Sequence, residues 1–265
     1  PGPLFHLGEV HIEGRRRWPG NVAKPQPRDV GLPLGEPYRA SAVISAQSKL
    51  VERLKTVGYP FAEIAERDVI ADHTSESVKV QFSVRPGPLA RFGPVRFKGN
   101  DNIRAAFLRR CLPWQRGDRY DARLVERAHA RLIDTGLLSL VRMQPADSLD
   151  RKGQLPMVIE VGERKHRTLR ASIRYNTDEG IGIRLSWEHR NLFHRGRALR
   201  LGTSVSAINQ HMDLSYRIPS WLRAGQAVMV KSRLSREEGD GYTSRSASGA
   251  LLVERQHRGL KLSGG

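Results

Sequence analysis

Two patterns of hydrophobic and polar residues divide the chain. In the first 165 residues, short alternating segments are interrupted by stretches with apolar residues every three to four positions. This mixture predicts α-helices combined with β-strands. From residue 166 onward the helical period disappears, and segments of about ten residues alternate apolar and polar positions. Turn-forming residues separate these segments, which predicts a meander of antiparallel strands.

The first part of the chain contains an internal repeat. Residues 1–14 and 86–99 share seven identical positions at a single spacing. Each copy continues in the order strand, helix, helix, strand, strand, which predicts two α+β domains in tandem, residues 1–86 and 87–165. The residues expected to shape the core and the turns of the second domain are Phe92, Gly93, Gly99, Gly117 and Gly136.

Residues 166–265 are predicted to form six antiparallel strands and the start of a seventh. Alternation of this kind fits a soluble sandwich with one buried face, and it also fits a transmembrane β-barrel with apolar residues toward lipid. Strands of about ten residues suit a tilted membrane span. Arginines on the polar face of successive strands would be costly against a dry core. Both features favour the barrel.

Composition and charge remove other classes of protein. Hydrophobic residues make up 38% of the chain, enough for packed cores, so a wholly disordered chain is not expected. No apolar run is long enough for a membrane-spanning helix. The 45 basic and 27 acidic residues give a net charge of +18, which suggests a polyanion or nucleic-acid binder. The arginines alternate with apolar residues, however, and this dilutes them over a sheet face, so we expect no nucleic-acid partner.

The sequence offers little support for catalysis. Cys111 lies at helical spacing from Phe107 and is predicted to be a buried structural thiol. His189 and His194 flank a predicted turn without ligand partners at a suitable spacing, and we expect structural or solvated roles for them. No protease, hydrolase or nucleotide-binding motif is found. We expect no catalytic site, cofactor or metal.

Several segments together carry a family resemblance. They are residues 89–100, 116–145, 163–201 and 217–223. The chain resembles the superfamily of outer-membrane assembly factors, which combine POTRA repeats with a BamA-like barrel. Within it, the chain is most similar to the TamA-type subunits of the translocation and assembly module. The resemblance implies the last two of three POTRA domains, located in the periplasm, and the first six to seven strands of an outer-membrane barrel. Because residue 1 is not Met and further strands would be needed for closure, the sequence is expected to be a fragment.

The resemblance also implies a mechanism and partners. The partners would be the lipid bilayer, unfolded outer-membrane protein or autotransporter clients, and a TamB-like partner anchored in the inner membrane. The first barrel strand would act as a lateral gate that clients join by β-augmentation. Its candidate residues are Leu169, Arg170, Ala171, Ser172, Ile173 and Arg174. The candidate lumen residues are Arg184, Glu188, Arg200, Asp213 and Arg217.

Two alternatives remain open at this stage. The repeats could offer strand edges to clients, or they could be rigid spacers. The whole chain could also be a soluble interaction module with two repeats, whose last hundred residues form an ordinary sandwich.

Overall fold

The computed structural model of the protein describes residues 4–14, 18–19, 22–177, 179–219, 221, 226–239, 241–257 and 260–264. The first three residues of the predicted repeat, Pro1, Gly2 and Pro3, lie outside this range. Within the described residues, no helix has the length and apolar character needed to span a membrane.

The first repeat forms a three-stranded sheet with a long helix. Its elements are β1 (His6–Gly14), a 3₁₀ helix (Pro27–Val30), α1 (Ala40–Thr56), β2 (Glu63–Asp72) and β3 (Ser77–Arg85). The strand order is β1-β3-β2, with β1 parallel and β2 antiparallel to β3. Alternate residues of β3, such as Val80 and Phe82, are fully buried in one cluster with Leu50 and Leu54 of α1. The period-two pattern of β3 thus builds the core.

The first of the two helices predicted for this repeat is only a four-residue 3₁₀ helix. Prolines recur through the segment that contains it, at Pro19, Pro25, Pro27 and Pro33. Because proline has no N–H donor and disfavours helical backbone in the preceding residue, an α-helix cannot propagate through this spacing.

The second repeat has the same order of elements with two α-helices. They are β4 (Arg91–Lys98), α2 (Ala105–Cys111), α3 (Ala122–Asp134), β5 (Leu138–Pro145) and β6 (Gln154–Glu163), and the strand order is β4-β6-β5. The position of each strand in this sheet matches that of its counterpart in the first repeat, as the internal repeat predicts.

The two repeats also share a backbone hydrogen-bond pattern. In the first, Leu7 N donates to Glu36 O and Gly35 N donates to Leu7 O, each at 2.8 Å. In the second, Phe92 N donates to Asp118 O and Gly117 N donates to Phe92 O, again at 2.8 Å. The same loop therefore closes on the first strand of each repeat through main-chain bonds, and in the second repeat Arg91 Nη1 also donates to Gly117 O at 2.8 Å.

The chain forms two compact units, and both include parts of the second repeat. One consists of Pro1–Val95, Trp114–Glu126 and Pro145–Met157; the other consists of Arg96–Pro113, Arg127–Gln144 and Val158–Gly265. The domain limits predicted from the sequence, after residues 86 and 165, follow the repeat and stay a prediction.

The last hundred residues form a seven-stranded antiparallel sheet. The strands are β7 (Arg167–Asn176), β8 (Gly180–Leu192), β9 (Arg197–Val205), β10 (Asn209–Pro219), β11 (Gln226–Gly239), β12 (Tyr242–His257) and β13 (Leu260–Gly264). Each strand pairs with the next one along the chain. The predicted meander of strands is confirmed.

Candidate functional site

The register of the seven-stranded sheet sorts its side chains onto two faces. Leu169 pairs with Trp187, Trp187 with Leu201, and Leu201 with Leu214. Directly paired residues point to the same side of a sheet, so the alternate positions of every strand fall on common faces. We call the side that contains Leu169 the apolar face and the opposite side the polar face.

The apolar face is uncovered. Leu169 is 73% exposed, Ile173 80% and Leu251 61%, although these strands lie at different positions across the sheet. A soluble sandwich would bury such residues against a second sheet, and none of the described residues covers them. An antiparallel sheet with one continuous, exposed apolar face has the arrangement of a barrel wall in a bilayer. The soluble-sandwich alternative receives no support from this exposure.

All five predicted lumen residues lie on the polar face. Arg184 pairs with Ser172 and Ser204, and Glu188 pairs with Arg200. Asp213 and Arg217 occupy the corresponding alternate positions of β10. The alternation therefore assigns them to one side of the sheet, while their location in a closed lumen stays a prediction.

Glu188 is the centre of a charge network across three strands. Its Oε1 lies 2.9 Å from Arg200 Nη2, and its Oε2 lies 3.0 Å from Arg190 Nη2 and 3.9 Å from Arg170 Nη1. The residue is only 8% exposed. A carboxylate so far removed from water is stable when charged and hydrogen-bonded groups surround it. The network connects β7, β8 and β9.

Two further ion pairs continue across the polar face. Asp213 Oδ1 lies 2.6 Å from Arg233 Nε, and Glu254 Oε2 lies 3.1 Å from Arg217 Nε. The acidic residues of this face thus compensate some of its arginines. Such pairing lowers the positive potential that a polyanion would need, so the nucleic-acid alternative gains no support here.

Strand β7 lies at one edge of the described sheet and pairs with β8 alone. Its predicted gate residues are all exposed. Leu169, Ala171 and Ile173 lie on the apolar face, and Arg170, Ser172 and Arg174 lie on the polar face. An edge strand has unpaired backbone groups along one side and can accept a further strand. The six residues are therefore brought together in one edge strand, while their role as a gate stays a prediction.

The turn between β8 and β9 contacts the loop that precedes α2, within the same compact unit. Asn191 is 3% exposed; its Nδ2 donates to Asn102 O at 2.6 Å, and its Oδ1 accepts from Gly196 N at 3.0 Å. His194 Nδ1 lies 2.7 Å from the same Asn102 oxygen, and Arg104 N donates to His194 O at 3.3 Å. We call this group of hydrogen bonds the Asn191 junction. It gives His194 the structural role expected of it.

Close packing accompanies these hydrogen bonds. A Cβ atom added to Gly196 would lie 2.5 Å from Cζ of Phe107, and the φ of Gly196 is +68°. Only glycine fits both the backbone conformation and the space. Asn102 N donates in turn to Glu163 Oε1 at 2.9 Å, at the end of β6. The turn, α2 and β6 are thereby fixed to one another.

The motif residues of the second repeat are structural. Phe92 is fully buried and stacks on Trp114, with ring centroids 4.4 Å apart. A Cβ at Gly93 would lie 2.7 Å from the backbone carbon of Leu155, so this position allows close approach of two strands. Gly99, Gly117 and Gly136 all have positive φ. The predicted use of these residues for core and turns is consistent with their surroundings.

Cys111 is buried in the second repeat, as predicted. Its Sγ lies 3.7 Å from Phe107 O, to which the thiol donates. Burial raises the pKa of the thiol to about 11, and nearby Arg110 and Arg131 oppose this shift only in part. A thiol protonated at neutral pH is a poor nucleophile, which fits a packing role.

The two repeats meet within the first compact unit. Ala90 N donates to Gly58 O at 2.8 Å, and the Arg119 guanidinium donates to Val57 O. The end of α1 is therefore tied directly to the start of β4 and to the loop before α3. Whether the repeats are spacers or offer strand edges to clients stays open, since these bonds involve neither the free edge of β2 nor that of β5.

Asn102 and Asn191, the central residues of the Asn191 junction, were not revealed by the sequence. Asn191 lies in a segment that contributed to the family resemblance, yet its buried side chain and its partner 89 residues away leave no local signal. The only available indication was the preference of asparagine for turns.

Comparison with known proteins agrees with this geometry. Residues 90–164 match the POTRA family model, described as a surface antigen variable number repeat. The outer membrane protein assembly factor BamA of Buchnera aphidicola subsp. Acyrthosiphon pisum (strain APS) is 22% identical over 191 residues, which are 72% of this chain and 31% of BamA.

Two solved structures share the fold. BamA from Haemophilus ducreyi lacking POTRA domains 1-3 has a TM-score of 0.77 at 18% identity, covering 94% of this chain and 47% of that one. CdiB from Acinetobacter baumannii has a TM-score of 0.54 at 16% identity, covering 99% of this chain and 52% of that one. The chain spans less than a third of the curated BamA sequence and about half of each solved chain.

These matches define what the chain contains. It has a POTRA domain at residues 90–164, followed by an antiparallel sheet that resembles part of a BamA barrel. The BamA relative is named as an assembly factor and not as an enzyme. The predicted location, in the outer membrane with the POTRA domains in the periplasm, agrees with relatives that are outer membrane proteins.

Proposed function

We propose that this chain belongs to the Omp85 superfamily and is part of a TamA-type factor that assembles or translocates outer-membrane proteins without enzymatic chemistry. The proposal is supported by the POTRA match at residues 90–164, the BamA likeness and the order of repeats before sheet. The domain limits would be 1–86 and 87–165 for two POTRA domains and 166–265 for barrel strands.

The observation that carries the proposed mechanism is the position of β7 at the sheet edge, with its residues exposed. In this mechanism β7 is one side of a lateral gate. A client strand joins it through main-chain hydrogen bonds, and the apolar face of the growing sheet remains toward lipid. Arg170 and Arg174 on the polar face keep this edge hydrated and oppose tight closure of the gate.

The polar face would line the barrel lumen. The lumen would then be kept hydrated by the five predicted residues, Arg184, Glu188, Arg200, Asp213 and Arg217. Four of these residues, Glu188, Arg200, Asp213 and Arg217, would also connect neighbouring strands through ion pairs. The two repeats are connected by the hydrogen bond from Ala90 N to Gly58 O. In the periplasm they would act as a rigid spacer that binds a TamB-like partner and brings clients to β7.

Site-specific photocrosslinking tests the gate. A photoreactive residue replaces Ile173 on β7, and a matched one replaces Leu214 on β10, which lies on the same face in the interior of the sheet. The full-length protein is expressed with an autotransporter precursor. We expect crosslinks to the precursor from position 173 to be roughly tenfold more frequent than from position 214, since β7 is an edge strand whereas β10 is paired on both sides. Equal crosslinking from both positions would contradict the gate.

The partner is tested separately. The full-length protein, with its repeats intact, should retain a TamB-like protein in co-purification. Failure to retain a TamB-like protein would contradict the TamA-type assignment. The gate is tested independently, by the crosslinks from position 173.

A further inference from the structure

Four arginines line one cavity beside the turn between β8 and β9. They are Arg104 and Arg110 from the region of α2, and Arg195 and Arg197 from the turn and the start of β9. Phe107 and Trp221 line the same cavity, which has a volume of about 400 Å³. We call it the arginine cavity. All its residues belong to one compact unit.

The cavity is strongly positive. No carboxylate is among the described residues that line it. The contacts of two arginines are to neutral groups: Arg197 Nη1 donates to Tyr216 Oη at 3.2 Å, and the guanidinium carbon of Arg110 lies 5.9 Å from the centre of the Phe107 ring. Guanidinium groups present paired donors that match the oxygens of a phosphate. An anion with several acceptor oxygens would relieve their mutual repulsion.

The cavity also adjoins the apolar face of the sheet. Arg197 precedes Leu199 by two residues on β9, and Ile218, which lines the cavity, follows Tyr216 by two residues on β10. Leu199 and Tyr216 pair directly on the apolar face, so Arg197 and Ile218 continue that face toward the strand ends. A ligand held here would meet cationic groups at the strand ends and apolar side chains beside them.

Both walls of the cavity are held in place. Gly196 packs against the Phe107 ring, and Arg104 N donates to His194 O. The turn therefore cannot move away from α2 without breaking the Asn191 junction. A site formed before the ligand arrives loses little conformational entropy on binding.

We propose that the arginine cavity binds the phosphate headgroup of an anionic phospholipid in the periplasmic leaflet of the outer membrane. The phosphate would be held by the guanidinium groups, and the acyl chains would lie along the apolar face toward Leu199 and Leu201. This site rests on the proposed membrane location of the sheet, but it does not depend on the gate at β7.

Lipid binding to the full-length protein in detergent provides the test, read out by native mass spectrometry. Phosphatidylglycerol is the anionic probe and phosphatidylcholine the neutral one. Arg104→Gln/Arg195→Gln removes two exposed cations from the cavity, while Arg39→Gln/Arg53→Gln removes two exposed cations from the first repeat as a matched control. We expect about thirtyfold weaker binding of phosphatidylglycerol in the cavity variant and wild-type binding in the control.

A third variant separates a binding defect from a folding defect. Arg104→Lys/Arg195→Lys keeps the charge and loses the paired donors, so its affinity should lie between those of wild type and the glutamine variant. Wild-type protein that shows no preference for phosphatidylglycerol over phosphatidylcholine would overturn the proposal, and so would equal binding by the cavity and control variants.

Competitors identify the source of the anion. Inorganic phosphate that displaces phosphatidylglycerol at equal concentration would show that the site takes free phosphate, and it would overturn the lipid assignment. A glutamate-rich peptide that binds more tightly than the lipid would indicate an acidic protein segment and would overturn it as well. Crosslinking from position 173 does not depend on these outcomes. The gate proposal can therefore be contradicted while the lipid site is supported, and the lipid site can be contradicted while the gate proposal is supported.

Discussion

Replacing Asn191 by alanine should release the turn between β8 and β9 from the second repeat. The substitution removes the bond from Nδ2 to Asn102 O and the acceptor for Gly196 N. Asn102 O keeps the His194 ring as a donor, but the N–H of Gly196 is left buried without its partner. The two losses therefore differ in kind, since only one leaves an orphaned polar group.

The expected magnitude follows from that difference. An orphaned buried N–H costs about 1–3 kcal/mol, and the net loss of the satisfied bond to Asn102 adds about 1 kcal/mol. The Asn191 junction should therefore be weakened by about 2–4 kcal/mol. If the turn opens locally, hydrogen exchange at the Gly196 amide should accelerate between about 30-fold and about 1,000-fold.

Hydrogen exchange with mass spectrometry on the full-length protein in nanodiscs measures this effect. Asn176→Ala serves as the control, because it removes the same side-chain atoms at the last residue of β7, which pairs with the start of β8 and not with the end that leads into the turn. Peptides covering residues 191–197 should exchange faster in Asn191→Ala and at the wild-type rate in Asn176→Ala. Unchanged exchange at these residues in Asn191→Ala would refute the assigned role of the side chain.

Three other changes test the second repeat and the sheet. The Cys111 thiol should resist alkylation at pH 8 in the folded protein and react after unfolding, because burial raises its pKa to about 11. The contribution of the protonated thiol to the free energy of unfolding is full below the ordinary thiol pKa of 9.0 and is lost as pH rises through 11. Rapid alkylation of folded protein at pH 8 would contradict this. Gly99→Ala should destabilise the repeat by about 2–5 kcal/mol, since the new Cβ combines an unfavourable positive φ with a clash against the backbone carbonyl of Val161. Gly117 also has a positive φ but open space around it, so Gly117→Ala should cost about 1–2 kcal/mol. Alkylation of Cys111 across a urea series measures both, and equal costs would refute the packing argument. Glu188→Gln should weaken the attachment of β7 by up to about 1 kcal/mol, because its ion pair with β7 is a 3.9 Å contact to Arg170, which is 62% exposed. The measurement is up to about fivefold faster exchange along that strand, with Glu179→Gln as the unaffected control, and an unchanged rate would show that the network does not hold β7.

The sheet was highly predictable because its strands obey a strict period of two. The six residues expected in the first barrel strand, 169–174, all lie within the strand Arg167–Asn176. The register is fixed because one face of the sheet is apolar and the other polar. A strand that slipped by one residue against its neighbour would exchange its two faces. The fold of the second repeat was also accessible, because the apolar stripe of α3 and the alternation of β6 are both local signals.

The contacts that organise the candidate sites were not predictable. Asn102 and Asn191 are 89 residues apart, and their bond depends on the path of the whole chain between them. The arginine cavity is equally nonlocal, because it combines residues near 104 with residues near 196 and 218. In the first repeat, the proline-rich segment gave a short 3₁₀ helix where helical order had been expected, because local backbone restrictions override the analogy between the copies.

The pairing of every strand with its successor has a kinetic consequence. Each pair of neighbouring strands in this sheet is joined by a loop of only a few residues. The contacts between strands are therefore short in sequence separation, and the contact order of the sheet is low for an all-β structure. Each new hairpin costs little loop-closure entropy once its predecessor is in place. Such a sheet can grow sideways one strand at a time from an existing edge, and its order of synthesis can also be its order of folding.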